Sequence, residues 1–160
     1  MEIRFTEDNL KKLEEISRHY PVASAALIPA LWIAQRQFGW ISLDVMKYVG
    51  ELLKIPHEQV YGVVQFYTML NSKPIGKYHF EVCTNISCML RGGYDILKYL
   101  SDKLNIKPGE TTSDGKFTLS EVECLGSCGT APMMQLNDRY EENLTKEKID
   151  SIISSLSDNT

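Results

Sequence analysis

The sequence predicts an α+β protein in which a helical bundle precedes a smaller α/β domain with a mixed sheet. Apolar residues recur at helical spacing up to about residue 70, whereas alternation of apolar and polar residues begins only after residue 76. Between the two patterns, residues 71–76 are rich in turn formers, which are typical of a domain boundary. We therefore expect a helical domain over residues 1–74 and a second domain over residues 75–160.

Four helices are expected in the first half. Thr6 is suited to cap the first helix, because its hydroxyl can accept a hydrogen bond from a free N–H group of the first turn. A second helix over residues 25–38 is expected to end at Gly39, since glycine is favoured just past a helix end. Ser42 is expected to cap the third helix, and Pro56 to occupy the first position of the fourth. The apolar face of the third helix is predicted from Val45, Val49, Leu52 and Leu53.

The fourth helix is apolar around most of its circumference. A helix that is apolar on several faces is usually buried by more than one neighbour. We therefore expect it to lie between the helical half and the second half of the chain, and a surface that faces a partner protein is the alternative. Its apolar residues are Val60, Tyr61, Val63, Val64, Phe66, Tyr67 and Leu70.

The second half is predicted to run in the order strand, helix, strand, hairpin, helix. Residues 77–82 alternate between polar and apolar side chains, as in a half-buried strand, and residues 88–104 carry a helical stripe. A strand over residues 116–123 loses its alternation at its end, which suggests a bulge. A hairpin around residues 137–138 and a final helix capped by Thr145 follow. This order is compatible with a thioredoxin-like α/β layer.

All four cysteines follow predicted strands of the second half. Cys83 and Cys88 form a C-x4-C pair where the first strand passes into its helix, and Cys124 and Cys128 form a C-x3-C pair after the next long strand. Loops at strand ends can converge on one point, so we expect the two pairs to meet. A 2Fe–2S cluster needs four thiolates, two on each iron, and two such pairs satisfy that requirement.

Three other uses of four cysteines or of histidines with them need to be weighed. Structural zinc also accepts four thiolates and loops of this length, so a zinc site remains open. A dithiol oxidoreductase would be expected to carry a C-x-x-C motif, which the sequence lacks. A Rieske centre needs two histidine ligands. We expect His19, His57 and His79 to be surface residues instead, with His79 on the polar face of its strand.

Composition excludes several classes of protein. With 17 basic and 21 acidic residues the formal net charge is 17 − 21 = −4, and the absence of a basic cluster argues against nucleic-acid binding. The longest apolar run, residues 25–34, is interrupted by Pro29 and is far shorter than the ~20 residues of a membrane span. The charged start is unlike a secretory signal peptide. A cytoplasmic location is therefore expected, where thiols stay reduced and clustered cysteines favour metal binding.

Five segments of the chain resemble one family. Residues 83–92 and 122–132 resemble the cluster-binding motifs of the thioredoxin-like 2Fe-2S ferredoxins. More narrowly, these segments are similar to those of the E-type subunits of bacterial NADH–quinone oxidoreductases, the counterparts of a mitochondrial complex I subunit. The helical segments 26–31, 39–41 and 60–69 carry the same resemblance, so it extends in order over nearly the whole chain.

The resemblance implies an electron carrier without a complete active site of its own. It implies one 2Fe–2S cluster on Cys83, Cys88, Cys124 and Cys128. It also implies a partner subunit that binds NADH and FMN, whose flavin exchanges electrons with the cluster, and further complex I subunits that keep the chain peripheral to the inner membrane. The equivalent subunit of an NAD-linked hydrogenase or formate dehydrogenase, or a zinc-stapled scaffold subunit, is the alternative. Neither a G-x-G-x-x-G fingerprint nor a P-loop occurs in the sequence.

Three further expectations concern the surroundings of the cysteines. Gly92 and Gly93 are expected inside the helix over residues 88–104, where ordinary internal packing is the favoured reason for them and a close approach of the backbone to a neighbour is the alternative. The resemblance places Pro132 where thioredoxin folds carry a cis proline, so a cis bond is a hypothesis there. An apolar cover of the cluster is expected from Met89, Leu90 and Leu125.

Overall fold

The structure is a computed structural model that describes residues 3–157. The chain divides into two compact units, Met1–Pro74 and Ile75–Thr160, each with its own apolar core. The overall class is α+β. Within residues 3–157, no helix is both long enough and apolar enough to cross a membrane.

The described part of the first unit is helical. Its α-helices pack in sequence, α1 on α2, α2 on α3 and α3 on α4, and a short 3-10 turn over Ala23–Ala26 precedes the second of them. The bounds of the four helices are α1 Glu7–Ser17, α2 Leu27–Phe38, α3 Leu43–Leu53 and α4 His57–Phe66.

Local capping chemistry sets most of these helix ends. The Thr6 hydroxyl accepts the N–H of Asn9 at 3.3 Å, and the Ser42 hydroxyl accepts the N–H of Val45 at 3.2 Å, so both predicted caps are confirmed. Helix α2 ends at Gly39, whose φ of 83° favours glycine. Pro56 precedes α4 with extended backbone, one residue before the first helical position predicted for it.

Burial on α3 differs in part from the prediction, and α4 is only partly buried. Only Val60 and Val64 of α4 are buried, whereas Tyr61 and Phe66 are 45% and 76% exposed. Packing within the helical unit therefore accounts for one buried stripe of α4, and the position of this helix between the two halves of the chain stays a prediction. On α3, Leu52 is exposed and was wrongly assigned to the buried face. The buried residues of α3 are Val45, Met46, Val49, Gly50 and Leu53.

The described part of the second unit has a mixed four-stranded sheet in the order β2-β1-β3-β4. Strands β1 and β2 are parallel, whereas β1–β3 and β3–β4 are antiparallel, as the predicted hairpin requires. The strands are β1 Tyr78–Cys83, β2 Phe117–Val122, β3 Met134–Leu136 and β4 Arg139–Glu141; the helices are α5 Ile86–Leu90, α6 Gly93–Leu104 and α7 Lys146–Ser157.

The predicted helix over residues 88–104 is in fact two helices, α5 and α6. Gly92 lies between them with φ 88°, a conformation that other residues rarely adopt, and Gly93 is the first residue of α6. The glycine pair thus marks the boundary between two helices, whereas the sequence predicted one continuous helix there. The helical stripe of the sequence continues across the break, which is why periodicity alone does not detect it.

The pairing of β1 with β2 brings both cysteine loops to the same end of the sheet. The register runs without interruption from Tyr78 opposite Phe117 to Cys83 opposite Val122, so the predicted bulge at the end of β2 is absent from this pairing. Parallel strands end at the same edge. The loops that follow Cys83 and Val122 therefore leave the sheet side by side.

His79 is buried, in contrast to the surface position predicted for it. It lies on the central strand β1, where it is 7% exposed and its Nε2 lies 2.7 Å from the Ser120 hydroxyl oxygen. The contact with Ser120 on β2 depends on strand register, which alternation along one strand does not reveal. Burial lowers the pKa of His79 from 6.5 to about 4, because the charged imidazolium loses its hydration.

Acidification is expected to destabilise the chain through His79. The folded-state pKa lies below the unfolded-state value, so the unfolded chain binds the proton more readily. This contribution to stability is present above pH ~6.5 and is lost as the pH falls toward about 4; between pH 7 and pH 5 the loss is about 2 kcal/mol. Chemical unfolding at the two pH values measures it, and His79→Gln, which stays neutral, is the control. Equal pH dependence in both proteins would contradict the assignment.

Candidate metal centre

The first cysteine pair is buried at the end of β1. Cys83 is the last residue of that strand, and Cys88 lies in the short helix α5 that follows. The side-chain oxygen of Asn85 accepts the N–H of Ile86 at 2.8 Å and so caps α5. Cys83 and Cys88 are both buried, each with 3% of its surface exposed.

The second cysteine pair is exposed in the loop after β2. The sulfur atoms of Cys124 and Cys128 lie 3.9 Å apart, and both cysteines are free thiols. Gly126 has φ 83° and turns its N–H toward the Cys124 sulfur, at a nitrogen–sulfur distance of 3.4 Å. Backbone N–H groups that donate to sulfur stabilise negative charge on it.

Both cysteine pairs lie at one end of the sheet, because the parallel strands β1 and β2 end there side by side. The expectation that all four thiols converge on one cluster stays a prediction. Within residues 3–157, no group of three or more His, Cys, Asp or Glu side chains is arranged to hold one metal ion. A 2Fe–2S cluster uses two thiolates on each of two irons, and this donor set of two sulfur pairs fits that requirement.

The Cys88 thiol is held in its neutral form by its surroundings. Burial raises its pKa most, and the neighbouring Cys83 and Cys128 raise it further, whereas the backbone N–H of Met133 opposes the change. Iron binds the thiolate rather than the thiol. Ligation at Cys88 therefore releases a proton, and the negative charge of its sulfur then lies in a site from which water is largely excluded.

The apolar surroundings of the buried thiols differ in part from those predicted. Leu125 packs against the buried pair as expected. Met89 and Leu90 are exposed, Leu90 to 76%, and they were wrongly predicted as cover because α5 directs them outward. Ala131 and Met133 take this role instead. In the sequence, the short apolar run after the second cysteine pair was the available indication that these two residues are buried.

Two structural details of the site agree with the sequence-based hypotheses. The peptide bond between Ala131 and Pro132 is cis. A Cβ atom on Gly93 would lie 2.9 Å from the carbonyl oxygens of Cys83 and Cys88, closer than real Cβ contacts allow. At Gly93 the alternative expected for the glycine pair, a close approach of backbone to backbone, therefore applies, and α6 makes that approach to the first cysteine loop.

Sequence reasoning missed the polar contacts that join the first cysteine loop to β2. The Thr84 hydroxyl donates to a carboxylate oxygen of Glu121 at 2.8 Å, and the side-chain amide of Asn85 donates to Glu123 at 2.9 Å. Glu123 directly precedes Cys124, so this second contact connects the loops of the two pairs. These residues are common on protein surfaces, and nothing in their spacing distinguishes them.

A comparison with protein families gives one match that covers most of the chain. The thioredoxin-like 2Fe-2S ferredoxin family matches residues 13–157. This range includes most of the helical unit and nearly all of the second unit, with all four cysteines. The match therefore extends well beyond the two cysteine motifs.

Three curated relatives match over most of their length. The chain is 48% identical over 155 residues to the NADH-quinone oxidoreductase E subunit of Rickettsia conorii, covering 95% of this chain and 93% of the relative. The corresponding protein of Rickettsia bellii is 46% identical over 155 residues, with the same coverage of both chains. An NADH-quinone oxidoreductase E subunit of Rhizobium meliloti is 41% identical over 145 residues, which cover 91% of this chain and 86% of that one.

A solved structure shares the fold. The crystal structure of an NAD+-reducing NiFe hydrogenase in the H2-reduced state aligns with a TM-score of 0.74 and 19% identity. The alignment covers 84% of this chain and 22% of the hydrogenase chain, so this chain spans less than a quarter of that protein. At this identity the likeness concerns the fold.

Proposed function

This chain belongs to the thioredoxin-like 2Fe-2S ferredoxin family, and on that premise we propose that it is the electron-transfer subunit of an NADH–quinone oxidoreductase. We propose that Cys83, Cys88, Cys124 and Cys128 hold its one 2Fe–2S cluster. The observation that carries this proposal is that the parallel pairing of β1 with β2 places both cysteine pairs at one end of the sheet. In the sequence, Cys88 of the first pair and Cys124 of the second are 124 − 88 = 36 residues apart. The division at Pro74 supports the further proposal that residues 1–74 and 75–160 are separate domains.

The two cysteine pairs have different tasks in this proposal. A 2Fe–2S cluster supplies reversible transfer of single electrons. Cys83 and Cys88, with Met133 and Leu125 beside them, keep water from one side of the site. Cys124 and Cys128 are exposed and leave the other side accessible to an electron donor. The N–H of Gly126, which donates to the Cys124 sulfur, favours the more negative reduced form and so raises the reduction potential.

The electron donor is proposed to be the flavin of a partner subunit that binds NADH. The relatives named above are subunits of NADH-quinone oxidoreductases, so this chain is expected to act within such a complex. Its own sequence carries neither of the common glycine-rich motifs for dinucleotides or phosphates. NADH and FMN are therefore assigned to the partner, and contact with the membrane is assigned to other subunits of the complex.

Among NADH-linked complexes, the quinone oxidoreductase is the one that the comparisons favour. The relatives from two Rickettsia species match at 46–48% identity over 93% of their length. The hydrogenase structure is 19% identical to this chain, and at that identity the similarity supports a common fold only. No observation favours a formate dehydrogenase subunit.

The proposal is tested first on the anaerobically purified chain. Iron and acid-labile sulfide analysis is expected to give two of each per chain, with a visible absorption spectrum and, after dithionite reduction, an EPR signal from one spin. Zinc in place of iron, or metal-free thiols after anaerobic reconstitution, would remove the electron-carrier proposal and leave a zinc-stapled scaffold or a dithiol protein. Affinity capture with the expected NADH-binding subunit, followed by flavin analysis, tests the partner separately.

A further inference from the structure

The segment over residues 140–144 runs along the loop that carries the second cysteine pair. The Tyr140 hydroxyl donates to the backbone oxygen of Leu125 at 2.7 Å. The backbone N–H of Asn143 donates to the oxygen of Thr130 at 2.8 Å. This segment, which lies at and just after β4, therefore contacts the loop before and after Cys128.

Glu142 makes the most central contact between this segment and the loop. Its Oε1 atom accepts hydrogen bonds from the hydroxyls of Ser127 and Thr130, the latter at 2.8 Å. The two hydroxyls also lie 2.7 Å from each other. Ser127 immediately precedes Cys128 and Thr130 lies two residues after it, so one carboxylate oxygen joins both sides of this cysteine.

We propose that Glu142 is a positioning residue for the cluster, which holds Cys128 and Cys124 in the geometry that iron requires. The inference rests on the proposed function, since it concerns how firmly the loop presents its two thiolates. Groups that orient metal ligands without touching the metal commonly change metal affinity by about 10- to 100-fold when they are removed.

Two glycines make the loop costly to order, although backbone hydrogen bonds to Leu125 and Thr130 also restrain it. Gly126 and Gly129 lie within it, and Cβ atoms built on them would have no heavy atom within 4 Å. Glycine loses more backbone freedom on ordering than any other residue. A carboxylate that accepts from two hydroxyls of the loop offsets part of that loss.

The Glu142 carboxylate can accept both hydroxyl hydrogen bonds of the loop, because it is ionised and the adjacent lysine pairs with Glu141. The Ser127 and Thr130 hydroxyls lower its pKa, so the group is ionised at neutral pH. The nearby Lys148 ammonium lies 3.1 Å from Glu141 and donates to the backbone oxygen of Glu142 at 2.8 Å. The neighbouring Glu141 thus has the surface ion pair, whereas the Glu142 side chain bonds to the cysteine loop.

The experiment compares variants of the full chain loaded with its cluster. The rate at which a chelator removes iron is expected to rise tenfold or more in Glu142→Ala. It should stay within about twofold of the wild type in Glu142→Gln, because the amide oxygen accepts the same two hydroxyls. Glu141→Ala, which removes the adjacent carboxylate and the same charge, is the matched control and should release iron at the wild-type rate. Visible circular dichroism of the loaded chain is expected to change in Glu142→Ala alone.

Several outcomes would overturn the inference. Equal release rates in wild type and Glu142→Ala would show that the contact does not hold the loop, while leaving the proposed function intact. If Glu142→Ala and Glu141→Ala raise the rate of iron release equally, the cause is the loss of surface charge and not the contact with the loop. If Glu142→Ala does not fold, Ser127→Ala removes one donor more mildly and must still accelerate release. A wild-type chain without a 2Fe–2S cluster would overturn both proposals.

Discussion

Replacing Cys88 with serine is expected to remove most of the iron from the purified chain. A serine hydroxyl is a far weaker iron ligand than a thiolate, and it ionises still less readily where water is excluded. Cys88 is 3% exposed and packs with Cys83, Ala131 and Met133, so water cannot replace the lost ligand easily. Iron and sulfide content, with the EPR signal after reduction, measures the loss.

Two further variants make this result specific. Cys128→Ser, in the exposed pair, is expected to retain more iron but to shift the absorption spectrum and the reduction potential, because the serine oxygen can be solvated there. Ser87→Ala, next to Cys88 in α5, is the control and should resemble the wild type. An unchanged spectrum, iron content and potential in both cysteine variants would remove these residues from the ligand set.

Gly93→Ala is expected to destabilise the second unit by about 3 kcal/mol and to lower its iron content. The new methyl group would lie 2.9 Å from two backbone oxygens, those of Cys83 and Cys88, and 3.0 Å from the Cys88 carbonyl carbon. Backbone atoms cannot move aside as a flexible side chain can. Either α6 shifts from the sheet or the distance between the two cysteines changes. Chemical unfolding and iron analysis of the same samples measure both effects.

The control for this variant lies in the other cysteine loop. Gly129 directly follows Cys128, but its φ lies outside the left-handed region and an added Cβ would have no heavy atom within 4 Å. Gly129→Ala is therefore expected to change stability by less than about 0.5 kcal/mol. If Gly93→Ala is equally mild, the close packing of α6 on the first cysteine loop is not what requires a glycine.

Features set by neighbouring residues were predicted well. The caps Thr6 and Ser42, the helix end at Gly39 and the hairpin turn at Asn137 all lie where the sequence indicates. Each depends on a hydrogen bond or a backbone conformation within a few residues. The break at Gly92 was missed because the apolar stripe continues on both sides of it, although glycine itself was the available signal.

Burial was predicted less well, since it depends on residues far apart in the chain. His79 alternates with apolar neighbours as a surface residue would, yet it is buried on β1, with its ring against Ser120 of the neighbouring strand β2. Leu90 is apolar and was expected to cover the cluster, but it is 76% exposed. Residue type indicates what a side chain prefers, whereas register and layer packing decide which preferences are satisfied.

The amino-acid sequence was sufficient for the α+β class, most of the helices and strands, and the positions of two thiol pairs after two strands. Capping, glycine, proline and alternation act locally, so they can be read along the chain. The folded chain decided how the thiols are used: it buried Cys83 and Cys88, exposed Cys124 and Cys128, and placed Glu142 against the second loop. Those arrangements depend on strand register and on contacts between distant segments, which no local pattern specifies.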